Sequence, residues 1–248
     1  QSMLKGTTTR SAEEIANTIE SRGGSIGSFS GYNSFGFQVS MLADDAAVGL
    51  EVLGDVLANP TFPQQEVERE KTAVLAGIKR VNDSIFSYSM KTFRKAMFDG
   101  HPYGYLSQGE AEVVAALTPN DLKQFYERAV DPSRMVLAVF GNVEKEAVLE
   151  LVRKHFGNLQ NATSATLVKR APDFPDSIKT VTEEMNKEQL AIFIGFQGVD
   201  VTDPDRYPLE VLGSLLNSQG GKLFQALRDE RGLAYSVGAF NIMGVEPG

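Results

Sequence analysis

The sequence predicts an α+β protein of two similar units, each a mostly antiparallel sheet with helices on one side, the second unit incomplete. Three observations carry this. Runs with the 3.6-residue apolar period of amphipathic helices are interspersed with short runs of period two. A helix ending in Arg-Gly passes straight to a strand in both halves, at Arg22-Gly23 and again at Arg231-Gly232. Composition shifts at Gly157 into a polar stretch holding two prolines, which reads as an extended linker. The expected domains are 1–160, a linker at 161–177, and a second, truncated domain at 178–248.

Gln1 to Leu4 reads as the end of a helix, broken by Lys5-Gly6-Thr7. Ser11 with Glu14 three residues on is a capping box, and Ile15 and Ile19 supply the buried stripe of the helix it opens, closed by Gly23-Gly24. Phe35, Phe37, Val39 and Met41 alternate with Gly36, Gln38 and Ser40, the spacing of a half-buried strand. Asp44 and Asp45 open a helix with Leu50, Leu53 and Leu57 on one face. A long helix from about Gln65 carries Glu66, Glu68 and Glu70 in its first turns, where the dipole favours acids. A further helical run, Tyr88 to Phe98, leads into the turn His101-Pro102-Tyr103-Gly104. Thr118-Pro119 starts another helix with proline at its first position.

Arg134 to Phe140 reads as a strand and Glu144 to Phe156 as an amphipathic helix. In the second half, strands are expected at Lys179–Glu184 and Gln189–Phe196, with a helix from Pro204 to about Leu216. The final stretch, Gly220 to Val237, reads as a helix with Leu223 and Leu227 on one face and Phe224 beside them. Gly232 ends it through the left-handed region, and Leu233, Tyr235 and Val237 follow at strand spacing.

Composition narrows the function. With 248 residues, 42% of them hydrophobic, the chain can bury one large core or two modest ones. A net charge of −8 with unclustered Lys and Arg argues against nucleic acid or an anionic membrane as partner. No apolar run approaches the roughly 20 residues of a membrane span. The absence of cysteine removes disulfides, thiolate metal sites and a Cys nucleophile. The two histidines, His101 in its turn and His155 in the last turn of a helix, have no second histidine at i+3 or i+4. The opening QSMLKG lacks an initiator Met, and the natural N-terminus is expected to lie further upstream.

The chemistry gathers at the C-terminal stretch. The helix delivers Arg228 near its end and the strand returns Tyr235 seven residues later, so a cation and a phenol can converge on one oxygen. Taken alone, the same residues also read as a dipole-favoured Arg with a solvated head and a half-buried packing Tyr. The run LRDERGLAYSV, with Lys222-Leu223-Phe224 before it, resembles the C-terminal-half motif of the pitrilysin/insulinase family of zinc peptidases. So do MLKGTTTRSAEEIANTIESRGGSIGSF from Met3, the HPYG turn, and LTPNDLKQFYERAVDPSRMVLAVFGNV from Leu117.

The resemblance covers nearly the whole chain and implies the fold of the mitochondrial processing peptidases. It implies that Arg228 and Tyr235 bind substrate and the developing oxyanion in a site completed by the family's other half. It also implies that the zinc site is lost. Counting back from Lys5-Gly6-Thr7, the second histidine of the H-x-x-E-H motif falls at Gln1, or at Ser2, and Gly77 occupies the slot of the Glu ligand seven after Glu70. Glu70 resembles the family's supporting acid, and a Zn²⁺ needs about three protein ligands. The expected role is therefore a subunit without its own zinc or other cofactor. It would pair with a zinc-bearing homologous subunit, or with a second copy of itself, and act on peptides, with the periplasm or cell envelope the favoured location. Two alternatives stay open: a purely structural or binding subunit, and an active zinc endopeptidase whose ligands lie in the missing N-terminus.

Overall fold

The computed structural model describes residues 1–159, 171–217 and 219–248, and its fold is α+β. Two units separate: the first comprises Gln1–Asp83 with 107–159, the second Ser84–Leu106 with 171–217 and 219–248. The helical segment Ser84–Leu106, expected within a first domain spanning 1–160, therefore clusters with the C-terminal part of the chain. The linker expected at 161–177 lies outside the described residues up to 170, and 171–177 holds neither helix nor strand.

The first unit is built around helix α2 (Ala46–Ala58), which buries Leu50, Val52, Leu53, Val56 and Leu57. Helix α1 (Ala12–Glu20) carries the capping box read from the sequence. The Ser11 side chain accepts from the Glu14 N–H, and the Glu14 carboxylate accepts from the Ser11 N–H. Ile15 and Ile19 on its inner face are fully buried against α2. Gly23, at φ 69°, takes the left-handed turn out of this helix. Strands β1 (Ser25–Ser30) and β2 (Phe35–Ser40) follow as an antiparallel hairpin, registered from Ser25 opposite Ser40 to Ser30 opposite Phe35. Ile26, Phe37 and Val39 turn one face of it onto the core.

Helix α3 (Gln64–Asp83) is mostly solvated and laced by ion pairs, Arg69–Glu66 at 2.6 Å and Lys71–Glu68 at 3.2 Å. After the short α5 (Ala111–Ala116), α6 (Pro119–Ala129) begins with Pro119 and with a capping box between Thr118 and Asp121. Tyr126 of α6 donates its hydroxyl to the Leu57 and Ala58 carbonyls at 2.8 and 3.2 Å, closing the C-terminal end of α2. Helix α7 (Lys145–Phe156) packs on α2 so closely that a Cβ on Gly54 would stand 2.7 Å from the His155 carbonyl.

In the second unit, α4 (Ile85–Met97) runs into the HPYG turn. There Phe98, His101 and Tyr103 are buried, with the Phe98 and Tyr103 rings 5.8 Å apart, edge to face. His101 Nδ1 accepts from the Tyr103 N–H at 3.2 Å, so this histidine is a structural element of the turn. The Tyr103 hydroxyl accepts from the Glu246 N–H at 3.2 Å, and Arg94 Nε donates to the Tyr103 carbonyl at 2.9 Å. Phe193 packs against Phe86 of α4, tilted at 5.1 Å, and stacks on Phe93 at 5.8 Å. Helix α8 (Arg206–Asn217) then leads to the short α9 (Lys222–Phe224).

The sheets differ from expectation. Among the described residues the only strands are β1 and β2, and the segments 134–140, 179–184, 189–196 and 233–237 form no ladder. Within 189–196 the period of two survives without the sheet. Phe193 packs inward, while Leu190, Ile192, Ile194 and Phe196 point out at 71–85% exposure. Alternation alone does not make a strand, because a ladder also needs a neighbouring edge to hydrogen-bond.

Candidate functional site

The turn carrying Arg228 starts as the single α-turn of α9 and widens into a π-turn over Gln225–Asp229, closed by the Glu230 N–H donating to the Gln225 carbonyl at 2.9 Å. Such i→i+5 turns are rare and tend to sit at functional sites. Gly232, at φ 60°, ends the turn through the left-handed region. Its N–H donates to the Arg228 carbonyl at 3.0 Å, and the Leu233 N–H to the Leu227 carbonyl at 2.8 Å. The chain reverses there and Tyr235 comes back in a bend rather than in the expected strand. Asn217, at the end of α8, secures the returning segment. Its side chain accepts from the Ala239 N–H at 2.8 Å and donates to the Ala239 carbonyl.

Arg228 and Tyr235 meet. The Arg228 guanidinium carbon lies 4.9 Å from the centre of the Tyr235 ring, and its NH1 donates to the Tyr235 carbonyl at 3.2 Å. Tyr235 is an exposed residue, at 86%. A cation with five N–H donors and a phenol are thus held side by side, and both suit an oxygen acceptor that gains negative charge. The sequence reading placed Phe224 beside the apolar face and did not link it to Arg228. Its ring lies 4.7 Å from the guanidinium carbon, on an i,i+4 spacing that was the available signal.

The positions matched to the zinc motif lie in the first unit. Gln1 and Ser2 lead into a 3₁₀ turn, Ser2–Lys5, and Gly77 sits in α3 with room around it, a Cβ there meeting only Arg80 NH2 at 3.8 Å. Glu70 has a partner that the sequence did not reveal, an ion pair with Lys5 Nζ at 3.1 Å. Among the described residues no group of three or more His, Cys, Asp or Glu is gathered so as to hold a metal ion. With Gln, Ser and Gly at the matched positions and Glu70 bound to a lysine, these residues do not fit a zinc ion. No described helix is long and apolar enough to cross a membrane.

The first unit also has a cavity of about 1040 Å³ bordered by Arg10, Glu51, Asp55, Tyr126 and His155. Its charges answer one another. Asp55 Oδ2 accepts from Thr7 Oγ1 at 2.7 Å, Thr9 Oγ1 at 2.9 Å and Arg10 NH1 at 2.7 Å, while Oδ1 accepts from Asn59 at 3.0 Å. Burial alone would raise the Asp55 carboxyl, but these donors outweigh it and hold it below the usual carboxylate range. Arg10 NH2 also pairs with Glu51.

Comparison with known proteins identifies the family. Residues 1–106 match the family described as Insulinase (Peptidase family M16), and residues 116–245 match the Peptidase M16 inactive domain. An uncharacterized zinc protease of Bacillus subtilis is 31% identical over 239 residues, covering 96% of this chain and 58% of the relative. One from Streptomyces coelicolor is 30% identical over 241 residues, covering 95% of this chain and 52% of the relative. The chain thus spans little more than half the length of these relatives. Among solved structures, a peptidase M16 inactive domain from Pseudomonas fluorescens superimposes with a TM-score of 0.82 at 21% identity, covering 99% of this chain and 60% of that one. A protease from Helicobacter pylori gives 0.83 at 19%, with the same coverage, so the fold is shared. Two family profiles in tandem and relatives at 30% identity or more along almost all of the chain lead to one conclusion: the protein belongs to the insulinase (M16) peptidase family.

Proposed function

We propose that this chain is the substrate- and oxyanion-binding subunit of a two-part peptidase and holds no zinc of its own. A homologous partner with an intact H-x-x-E-H motif would carry the metal, the attacking water and the general base. The observation behind this reading is the contact between the half-buried Arg228 and the exposed Tyr235, two donors that the turn at Gly232 brings together. In amide hydrolysis the scissile carbonyl oxygen gains charge as the tetrahedral intermediate forms. A guanidinium edge and a phenolic hydroxyl placed in advance stabilise that charge more than they stabilise the neutral carbonyl, and this difference is what accelerates the step. The poor fit of Gln1, Ser2 and Gly77 to a metal supports assigning the metal to the partner.

The test is activity by complementation. The full-length protein alone is expected to leave casein and internally quenched peptides uncut. Mixed with a relative bearing H-x-x-E-H, it should give a complex with chelator-sensitive turnover. Chelator-sensitive cleavage by the protein alone, after rigorous removal of contaminating proteases, would overturn the proposal.

A further inference from the structure

Arg228 touches two rings. Its guanidinium carbon lies 4.7 Å from the Phe224 ring centre and 4.9 Å from that of Tyr235, with NH1 on the Tyr235 carbonyl at 3.2 Å. Phe224 sits at the junction where α9 widens into the π-turn, one turn before Arg228, so its ring reaches the same face. It is half-buried and not among the fully buried core side chains. Stacking engages the flat faces of a guanidinium, whereas its N–H donors lie in the plane and point out from the edge. With one N–H on the Tyr235 carbonyl, a guanidinium engaged by two rings keeps its other donors for a ligand, and the rotamer freedom of its long side chain is given up before the ligand arrives.

We propose that Phe224 is a positioning residue: with Tyr235 it clamps the Arg228 guanidinium and fixes the direction in which its edge donors meet a peptide carbonyl. This rests on the reading of Arg228 as a substrate-binding cation. Phe224 itself transfers no proton and forms no bond, and it acts only through Arg228. One cation–π contact at a partly exposed site corresponds to roughly a two- to fivefold change in a rate or equilibrium.

Two measurements separate this proposal from the reading on which it rests. In the full-length protein labelled with ¹⁵N-arginine, the Arg228 Hε resonance should be displaced by ring currents. Phe224→Leu should return it toward the value of a free arginine, and Phe224→Tyr should keep the displacement. In the complex with a zinc-bearing relative, cleaving an internally quenched peptide, Phe224→Leu should lower kcat about two- to fivefold with little change in KM, and Phe224→Tyr should restore it. An Arg228 resonance indifferent to Phe224→Leu, or a kcat loss that Phe224→Tyr fails to rescue, overturns the clamp. If Arg228→Ala leaves turnover intact, the reading of the site falls, and the resonance still decides whether the clamp exists.

Discussion

Replacing Asp55 with alanine removes the acceptor that ties the Thr7–Arg10 turn to α2. Four donors converge on its carboxylate, from Thr7, Thr9, Arg10 and Asn59, at 2.7 to 3.0 Å. Thr9 and Asn59 are exposed and water replaces their bonds at little cost. Thr7 is buried at 8% exposure, and Arg10 keeps Glu51 but loses its bond to Asp55. Counting about 1.5 kcal/mol for each of those two charge-assisted bonds gives a loss of about 3 kcal/mol. At 2–4 °C per kcal/mol, that is a fall of roughly 6–12 °C in the melting transition of the first unit, read by calorimetry at pH 7.

The pH dependence adds a second constraint. The Asp55 carboxyl titrates below its ordinary value, so its contribution is complete above the unfolded value near 3.9 and is lost as the pH falls through the lower folded one. The gap between native protein and variant should hold from pH 7 down to about 4 and close below it. A gap under about 1 kcal/mol at pH 7, or one already closing between pH 7 and 5, would refute the reasoning.

Three further outcomes follow from the same structure. Gly54→Ala sets a methyl 2.7 Å from the His155 carbonyl, where backbone cannot yield cheaply, and should cost about 1–3 kcal/mol in chemical denaturation. Gly77→Ala meets only the far end of Arg80 at 3.8 Å and removes a glycine from the interior of α3. It should stabilise by about 0.5–1 kcal/mol in the same assay. Elemental analysis of metal-repleted full-length protein should find zinc well below one equivalent, and stoichiometric zinc would contradict the reading of Gln1, Ser2 and Gly77 as lost ligands.

Local signals were legible and tertiary ones were not. The capping box at Ser11 and the proline after Thr118 marked the starts of α1 and α6 because each signal acts within a few residues. Gly232 marked the left-handed turn, and from it followed the convergence of Arg228 and Tyr235. Strand β1 was missed because SIGSFS offers Ile26 and Phe29 on opposite faces, among Ser and Gly, and so shows no alternation. At 189–196 the alternation was real and misleading, since it says nothing of a hydrogen-bonding neighbour. Lys5 on Glu70 and the four donors on Asp55 needed the fold, because most partners lie about 45 to 65 residues apart along the chain. The π-turn that holds Phe224 against Arg228 has no sequence signature of its own.

The central claim is that Arg228 and Tyr235 stabilise charge that forms in a partner's reaction, and steady-state kinetics of the reconstituted complex tests it most directly. Arg228→Ala and Tyr235→Phe would each be paired with a zinc-bearing relative, with complex formation measured separately by analytical ultracentrifugation. Donors that act in the transition state lower kcat more than they raise KM, and losing one typically costs about 10²–10³ in rate. The account predicts a fall in kcat of that order, with assembly intact. Unchanged turnover in an intact complex would contradict it and leave the motif a structural role only.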